Sequence, residues 1–282
     1  MNTRACALVF GTIMSIGFPL NAIAIWILLR HHSFKSPNVI FMLNLAISDL
    51  LLASFLPLKV YFHATGDWPL GDIGCIVVHV FFNVNIRTSA VLITFISVDR
   101  VLAVVYPLRS RHIRTARNAV KAVILAWLFV IIFAIPVCIK FGMLKDSFCI
   151  KRDEVNHEAD PSIIVQLILV LVLLVVNVVS TVLVFLTLCR NVKDLPKVNN
   201  RVNVMLLFVM SLIMFIICFL PMTIGPFIEA RQTYLKCIAA TNCCLDPVLY
   251  YFSLDKSRHT ENMVVGYFKE TMGLFSLMFV LF

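Results

Sequence analysis

Polar positions are sparse along this chain, and the apolar runs between them are long. Seven runs stand out, at about 5–29, 39–62, 75–106, 120–140, 162–189, 202–228 and 235–253. Each is close to or above the roughly 20 residues a helix needs to cross a hydrocarbon core. The third is the longest and ends in Ser97-Val98-Asp99-Arg100-Val101 and Tyr106-Pro107. Wound as a helix, Cys75 to Arg100 covers about 37 Å, more than the core thickness of about 30 Å. Pro19, Pro57, Pro136, Pro221 and Pro247 fall inside runs. They do not veto helices, because neighbouring helices and water satisfy the carbonyls that a proline frees. The pattern predicts an all-α membrane protein, a seven-transmembrane helix bundle over residues 1–253.

Composition narrows this further. The 282 residues are 61% hydrophobic and 14% charged, against about 25% charged in a soluble domain. The net charge of +9 does not point to nucleic acid, because the basic residues sit in short loops and report topology instead. Arg30 and Lys35 follow the first run; Arg109, Arg111, Arg114 and Arg117 follow the third; Arg190, Lys193 and Lys197 follow the fifth. The second loop carries Asp67 and Asp72, and the fourth mixes Lys145, Lys151 and Arg152 with five acids. The positive-inside rule then places the N-terminus outside and the C-terminus in the cytosol. Met1 runs almost directly into an apolar helix, which reads as a retained span. Residues 254–282 are expected to form a short cytoplasmic tail that can turn along the inner leaflet.

Two of the nine cysteines, Cys75 and Cys149, fall at the outer surface. That side is oxidising, so a disulfide between them is expected. The others read as small buried hydrophobes. Ionisable groups inside spans are costly and functional by default. Asp49 lies in span 2 and Asp246 in span 7. Two carboxylates in one low-dielectric core repel, so either one keeps a proton or a cation sits between them. Asn85 and Ser89, one turn apart on span 3, can add oxygens from one face, and hard cations favour oxygen. Sodium and a protonated hydrogen-bond network both remain open. Arg87 is a third intramembrane charge, either a partner for an anionic ligand group or a contact to helix carbonyls. Lys59, near the outer end of span 2, either joins it or snorkels to the interface.

Several motifs now line up in order. They are Gly17-Phe18-Pro19-Leu20-Asn21, Asn44-Leu45-Ala46-Ile47-Ser48-Asp49, Asp67-Trp68-Pro69-Leu70-Gly71 before Cys75, and Asp99-Arg100-Val101. Trp127 follows, then Phe215-Ile216-Ile217-Cys218-Phe219-Leu220-Pro221 and Asp246-Pro247-Val248-Leu249-Tyr250. With them the chain resembles a rhodopsin-like (class A) G-protein-coupled receptor along nearly its whole length. Phe219 before the span-6 proline, and Asp246, resemble the branch of nucleotide, lysophospholipid and proteinase-activated receptors. Leu56-Pro57-Leu58-Lys59 and Gly66-Asp67-Trp68 lean towards the proteinase-activated group.

The resemblance implies roles. Asp49, Asn85, Ser89, Asn242 and Asp246 match the sodium pocket, with the ion an allosteric modulator and no other cofactor. Asp99 and Arg100 match the pair that holds the inactive state until Arg100 meets the G protein. Phe215, Phe219 and Pro221 match the bend and aromatic switch of span 6, and Tyr250 the tyrosine that swings inward. The implied partners are a heterotrimeric G protein, membrane lipids and an extracellular agonist of tethered-peptide, lipid or nucleotide class. The implied place is the plasma membrane. Some features depart from the family: Val101 replaces a tyrosine, span 5 has neither proline nor tyrosine, and the join between spans 6 and 7 is tight. The N-terminal tail is almost absent, as in a truncated, non-signalling relative. An ion channel or transporter using Asp49, Asp246 and Arg87 is a further alternative, though no internal repeat supports it. No catalytic arrangement is visible, so an enzyme is not expected.

Overall fold

The computed structural model describes residues 3–68, 70–143, 161–190, 198–227 and 232–253. They form helices and short connections, with no strand among the described residues. Helix α1 covers Thr3–His31, α2 Pro37–Thr65, α3 Gly71–Val105, α4 Ala116–Met143 and α5 Pro161–Arg190. Helix α6 comprises Val198–Met214, a π-helical turn Phe215–Phe219 and Leu220–Ile224, and it ends in a 3-10 turn Gly225–Phe227. Helix α7 comprises Gln232–Ala240 and Asn242–Ser253. The Cys149 position, the loops around it and after α5, and the tail 254–282 lie outside the described residues.

Local chemistry sets the ends. Pro37 opens α2, where its missing N–H costs nothing. Gly66 closes it with φ 87°, donating its N–H to the Phe62 carbonyl, a left-handed cap that favours glycine. Among the described residues six helices are long and apolar enough to cross a membrane. The seventh differs from the expected continuous run 235–253: it breaks at Thr241, whose carbonyl accepts from the N–H groups of Cys244 and Leu245.

The core sits where α1, α2, α3, α6 and α7 converge, around Met42, Leu45, Phe82, Leu92, Phe208, Phe215 and Phe219. Helix α3 runs through the middle and touches α2, α4, α5 and α6. Helices α4 and α5 turn apolar side chains outward, among them Leu125, Ile132, Ile168 and Val175. In water that surface would be a liability; in a bilayer it is the lipid-facing side.

Candidate functional site

Asp49 on α2 and Asp246 on α7 meet in the core, both fully buried and within interaction range of one another. Asn85 on α3 donates from Nδ2 to Asp49 Oδ1 at 3.2 Å and to Ser48 Oγ at 3.0 Å. Asp49 Oδ2, both Asp246 oxygens, Asn85 Oδ1, Ser89 Oγ and both Asn242 side-chain polar atoms are buried without a conventional donor or acceptor, and the Asp49 and Asp246 carboxyl groups lie within hydrogen-bond reach of one another, as a shared proton would require. Buried polar atoms are rarely left this way, because each costs its lost hydration. A set of unmatched oxygens from α2, α3 and α7 suits one hard cation. Asn21 on α1 ties the same level together: its Nδ2 donates to the Cys243 carbonyl at 2.8 Å and to the Gly17 carbonyl at 3.0 Å. Cys243 and Cys244 are both interior and touch different helices, the one against the Asp49 carbonyl and the other against the Ile13 carbonyl.

Above this site two helix irregularities meet. Pro221 cannot donate to the ladder, and the turn before it, Phe215–Phe219, is π-helical, a distortion that often marks a functional bend. The rings of Phe215 and Phe219 pack edge to face with centroids 5.2 Å apart. Thr223 Oγ1 donates back to the Phe219 carbonyl at 2.7 Å, an i to i−4 bond of the kind that bends helices. Cys218, inside the π turn, touches Thr241 at the break in α7, Sγ to Oγ1 3.5 Å. The bend in α6 and the break in α7 are thus in direct contact. Tyr250 is buried on α7 with its hydroxyl unpartnered, within electrostatic reach of both carboxylates.

At one end of α3, Asp99 is clasped by Arg114. Nε donates to Oδ1 at 2.9 Å and one Nη to Oδ2 at 3.0 Å. This bidentate geometry is the strong form of the pair. The sequence pointed to Asp99 with Arg100; the bonded partner of the carboxylate is a loop arginine whose only visible role was topological. The α3–α4 loop that carries it is folded under α3 by Ser110, whose hydroxyl donates to the Leu102 carbonyl at 2.9 Å. Arg109, Arg111, Arg117 and Lys121 are exposed around it.

Lys59 and Arg87 do not share a pocket. Lys59 is 7% exposed and does not snorkel. Its ammonium lies 3.5 Å from the Phe82 ring centroid and 5.2 Å from that of Phe10, with Cys237 of α7 in electrostatic range. Phe10 in turn stacks on His63, and Phe62, one turn further along α2 from Lys59, stacks on Trp68. Arg87 points to the other side of α3, where its Nη atoms donate to Gln166 on α5 and the Phe133 carbonyl on α4. A second α3–α5 bond, Asn177 Nδ2 to Thr94 Oγ1 at 2.8 Å, was not foreseen. A lone Asn in an apolar run was the available signal. Cys75 is in a disulfide; Cys149 lies outside the described residues.

A family model described as the seven-transmembrane receptor (rhodopsin family) matches residues 20–250. Human lysophosphatidic acid receptor 6 is 30% identical over 90% of this chain and 82% of its own length. Bovine lysophosphatidic acid receptor 5 is 31% identical over 89% of this chain and 76% of its own. Proteinase-activated receptor 1 of Xenopus laevis is 31% identical over 89% of this chain and 64% of its own.

Proposed function

The chain belongs to the rhodopsin family of seven-transmembrane receptors, and from that membership we propose that its agonist is an anionic lipid whose headgroup Lys59 receives. It is a multi-pass plasma-membrane receptor that couples an extracellular agonist to a heterotrimeric G protein by rearranging its helices. The observation that carries the proposal is the buried Lys59 ammonium between the rings of Phe10 and Phe82. An ammonium withdrawn from water gains most from an anion, and the rings around it suit an alkyl chain. Two of the relatives above are named for lysophosphatidic acid, an anion with one such chain.

The same residues supply a route to the far end of the bundle. Lys59 lies within electrostatic reach of Cys237 on the first piece of α7. That piece ends at Thr241, which touches Cys218 in the π turn of α6. An agonist acts only through its differential affinity for two arrangements, and a helix break against a π turn is the place where two arrangements differ least in bonding. Opening of α6 then uncovers Arg100, while the Asp99–Arg114 clasp holds the resting state from the α3–α4 loop. Asp49, Asn85, Ser89, Asn242 and Asp246 form a site for sodium, which when bound supplies the positive charge that two adjacent carboxylates lack. The loop bearing Arg109, Arg111 and Arg117 faces the cytosol, and the N-terminus lies outside.

The test uses the receptor in lipid nanodiscs with purified G protein, reading nucleotide exchange against lysophosphatidic acid concentration. Lys59→Gln lowers potency by about tenfold or more, the loss expected when one partner of a desolvated charge pair is removed. Lys59→Arg retains most of it. Unchanged potency in Lys59→Gln sinks the proposal.

A further inference from the structure

Helix α1 packs against both pieces of α7. On the second piece, the Cys244 sulfur meets the Ile13 carbonyl of α1. Seven residues back along each chain segment, about two helical turns, stand Cys6 and Cys237. The equal step keeps the two positions opposite one another, and Cys6 is within hydrogen-bond reach of the Cys237 sulfur. Both residues are buried, at 2% and 0% exposure, and neither is in a disulfide. Phe10, one turn along α1 from Cys6, holds its ring 5.2 Å from the Lys59 ammonium. Lys59 and Lys236 both lie within electrostatic reach of Cys237, and cations are the neighbours that mark a reactive cysteine.

A single buried cysteine packs as a small hydrophobe. Two that face each other across a helix seam, at the end assigned to the oxidising outside, can also join. We propose that Cys6 and Cys237 are a site of oxidative modification, where a peroxide closes a disulfide that ties α1 to the first piece of α7. The peroxide turns one thiol into a sulfenic acid and releases water; the other sulfur then displaces the sulfenic oxygen as a second water. Two S–H bonds and one O–O bond break, one S–S bond forms, and the two electrons the sulfurs lose reduce the peroxide. Burial slows each thiol towards bulky reagents, but peroxide is small and the second sulfur is already in place. The tie forms in the arrangement in which Arg114 clasps Asp99, so it favours that arrangement over any other. It also holds the piece of α7 that ends at Thr241, against Cys218 in the π turn of α6. Closing it therefore restrains the joint between α6 and α7 and quiets the receptor.

The test uses reduced receptor in lipid nanodiscs, with Cys189→Ser to remove the exposed thiol and hydrogen peroxide as the probe. Remaining thiols are blocked with N-ethylmaleimide before digestion, and joined peptides are mapped by mass spectrometry, with fragment ions placing the bond. Peroxide joins the peptide holding Cys6 to the peptide holding Cys237 at those two residues. It raises the thermal midpoint by about 5 °C or more, as closing so long a loop does. Basal nucleotide exchange on purified G protein falls by about twofold or more, and a thiol reductant reverses all three changes. Cys6→Ala and Cys237→Ala each remove all three. No agonist is present, so a failure here bears on this pair and not on the anion site at Lys59. Absence of the joined peptide, sulfinic acid at either cysteine without it, or a bond from Cys6 to Cys243 or Cys244 overturns the proposal. A joined peptide with unchanged exchange overturns the restraint on the α6–α7 joint. If an Ala variant does not fold, the peptide map and its reversal in the Cys189→Ser receptor decide alone.

Discussion

At the scale of single residues, the unmatched oxygens between Asp49 and Asp246 make the sharpest demand on the molecule. Removing one negative charge while keeping the shape should abolish whatever a cation does there. Asp49→Asn is therefore expected to leave agonist affinity the same in sodium and in a large organic cation, whereas the unmodified receptor binds agonist more weakly in sodium. Radioligand competition in the two salts measures this, and a persistent sodium effect in Asp49→Asn would remove the cation from the site. Arg114 makes a separable demand. Truncation to Ala leaves the Asp99 carboxylate buried without its two donors, a loss of about 1.5–3 kcal/mol for a hydrogen-bonded charge. Basal nucleotide exchange should rise in Arg114→Ala and in Asp99→Asn, and the double variant should rise no further than either single one. Additive effects would show that the two residues act apart.

At the scale of helices, small residues and isolated polar ones decide the packing. A Cβ on Gly17 would lie 2.8 Å from Cys243 Sγ, and that sulfur contacts the Asp49 carbonyl. Gly17→Ala should cost about 1–3 kcal/mol, as overpacking of a close-packed seam does, and Cys243→Ala on top of it should recover most of the loss. Thermal midpoints in detergent read both. Helix α5 depends on fewer devices. With most of its surface facing lipid, its polar ties to α3 are Arg87–Gln166 and Thr94–Asn177. Asn177→Leu should lower the midpoint only slightly, since such bonds average about 0.6 kcal/mol in membrane proteins. The apolar runs made the helices legible in advance, because hydrophobic length is fixed by bilayer thickness. The partners of Asp99, Arg87 and Asn177 were not legible. Each is set by which face of one helix meets which face of another, and a periodicity near 3.6 over an almost uniformly apolar run does not mark a face. The break at Thr241 was hidden for a related reason, as Thr-Asn within an apolar stretch reads equally as a buried polar pair or as a new helix start.

At the scale of the whole molecule, the direction of signalling rests on which end of the bundle faces the cytosol. The chain carries no acid from Val101 to Lys145, and Arg109, Arg111, Arg117 and Lys121 are exposed at the end where Arg114 clasps Asp99. Lys59 sits ten residues along α2 from Asp49, about 15 Å nearer the opposite end. Basic loops are retained in the cytosol during insertion, so the clasp should meet the G protein and Lys59 the outside. Impermeant maleimide on intact cells tests the assignment. Cys189 is free and exposed, so Cys189→Ser is the background. On it, Arg111→Cys should stay unlabelled until the cells are permeabilised, and Asp67→Cys should label at once. The reverse pattern would turn the bundle over. Lys59 would then face inward, where no extracellular agonist reaches it, and the sodium site and the α6 bend would lose their place between a signal and its reader.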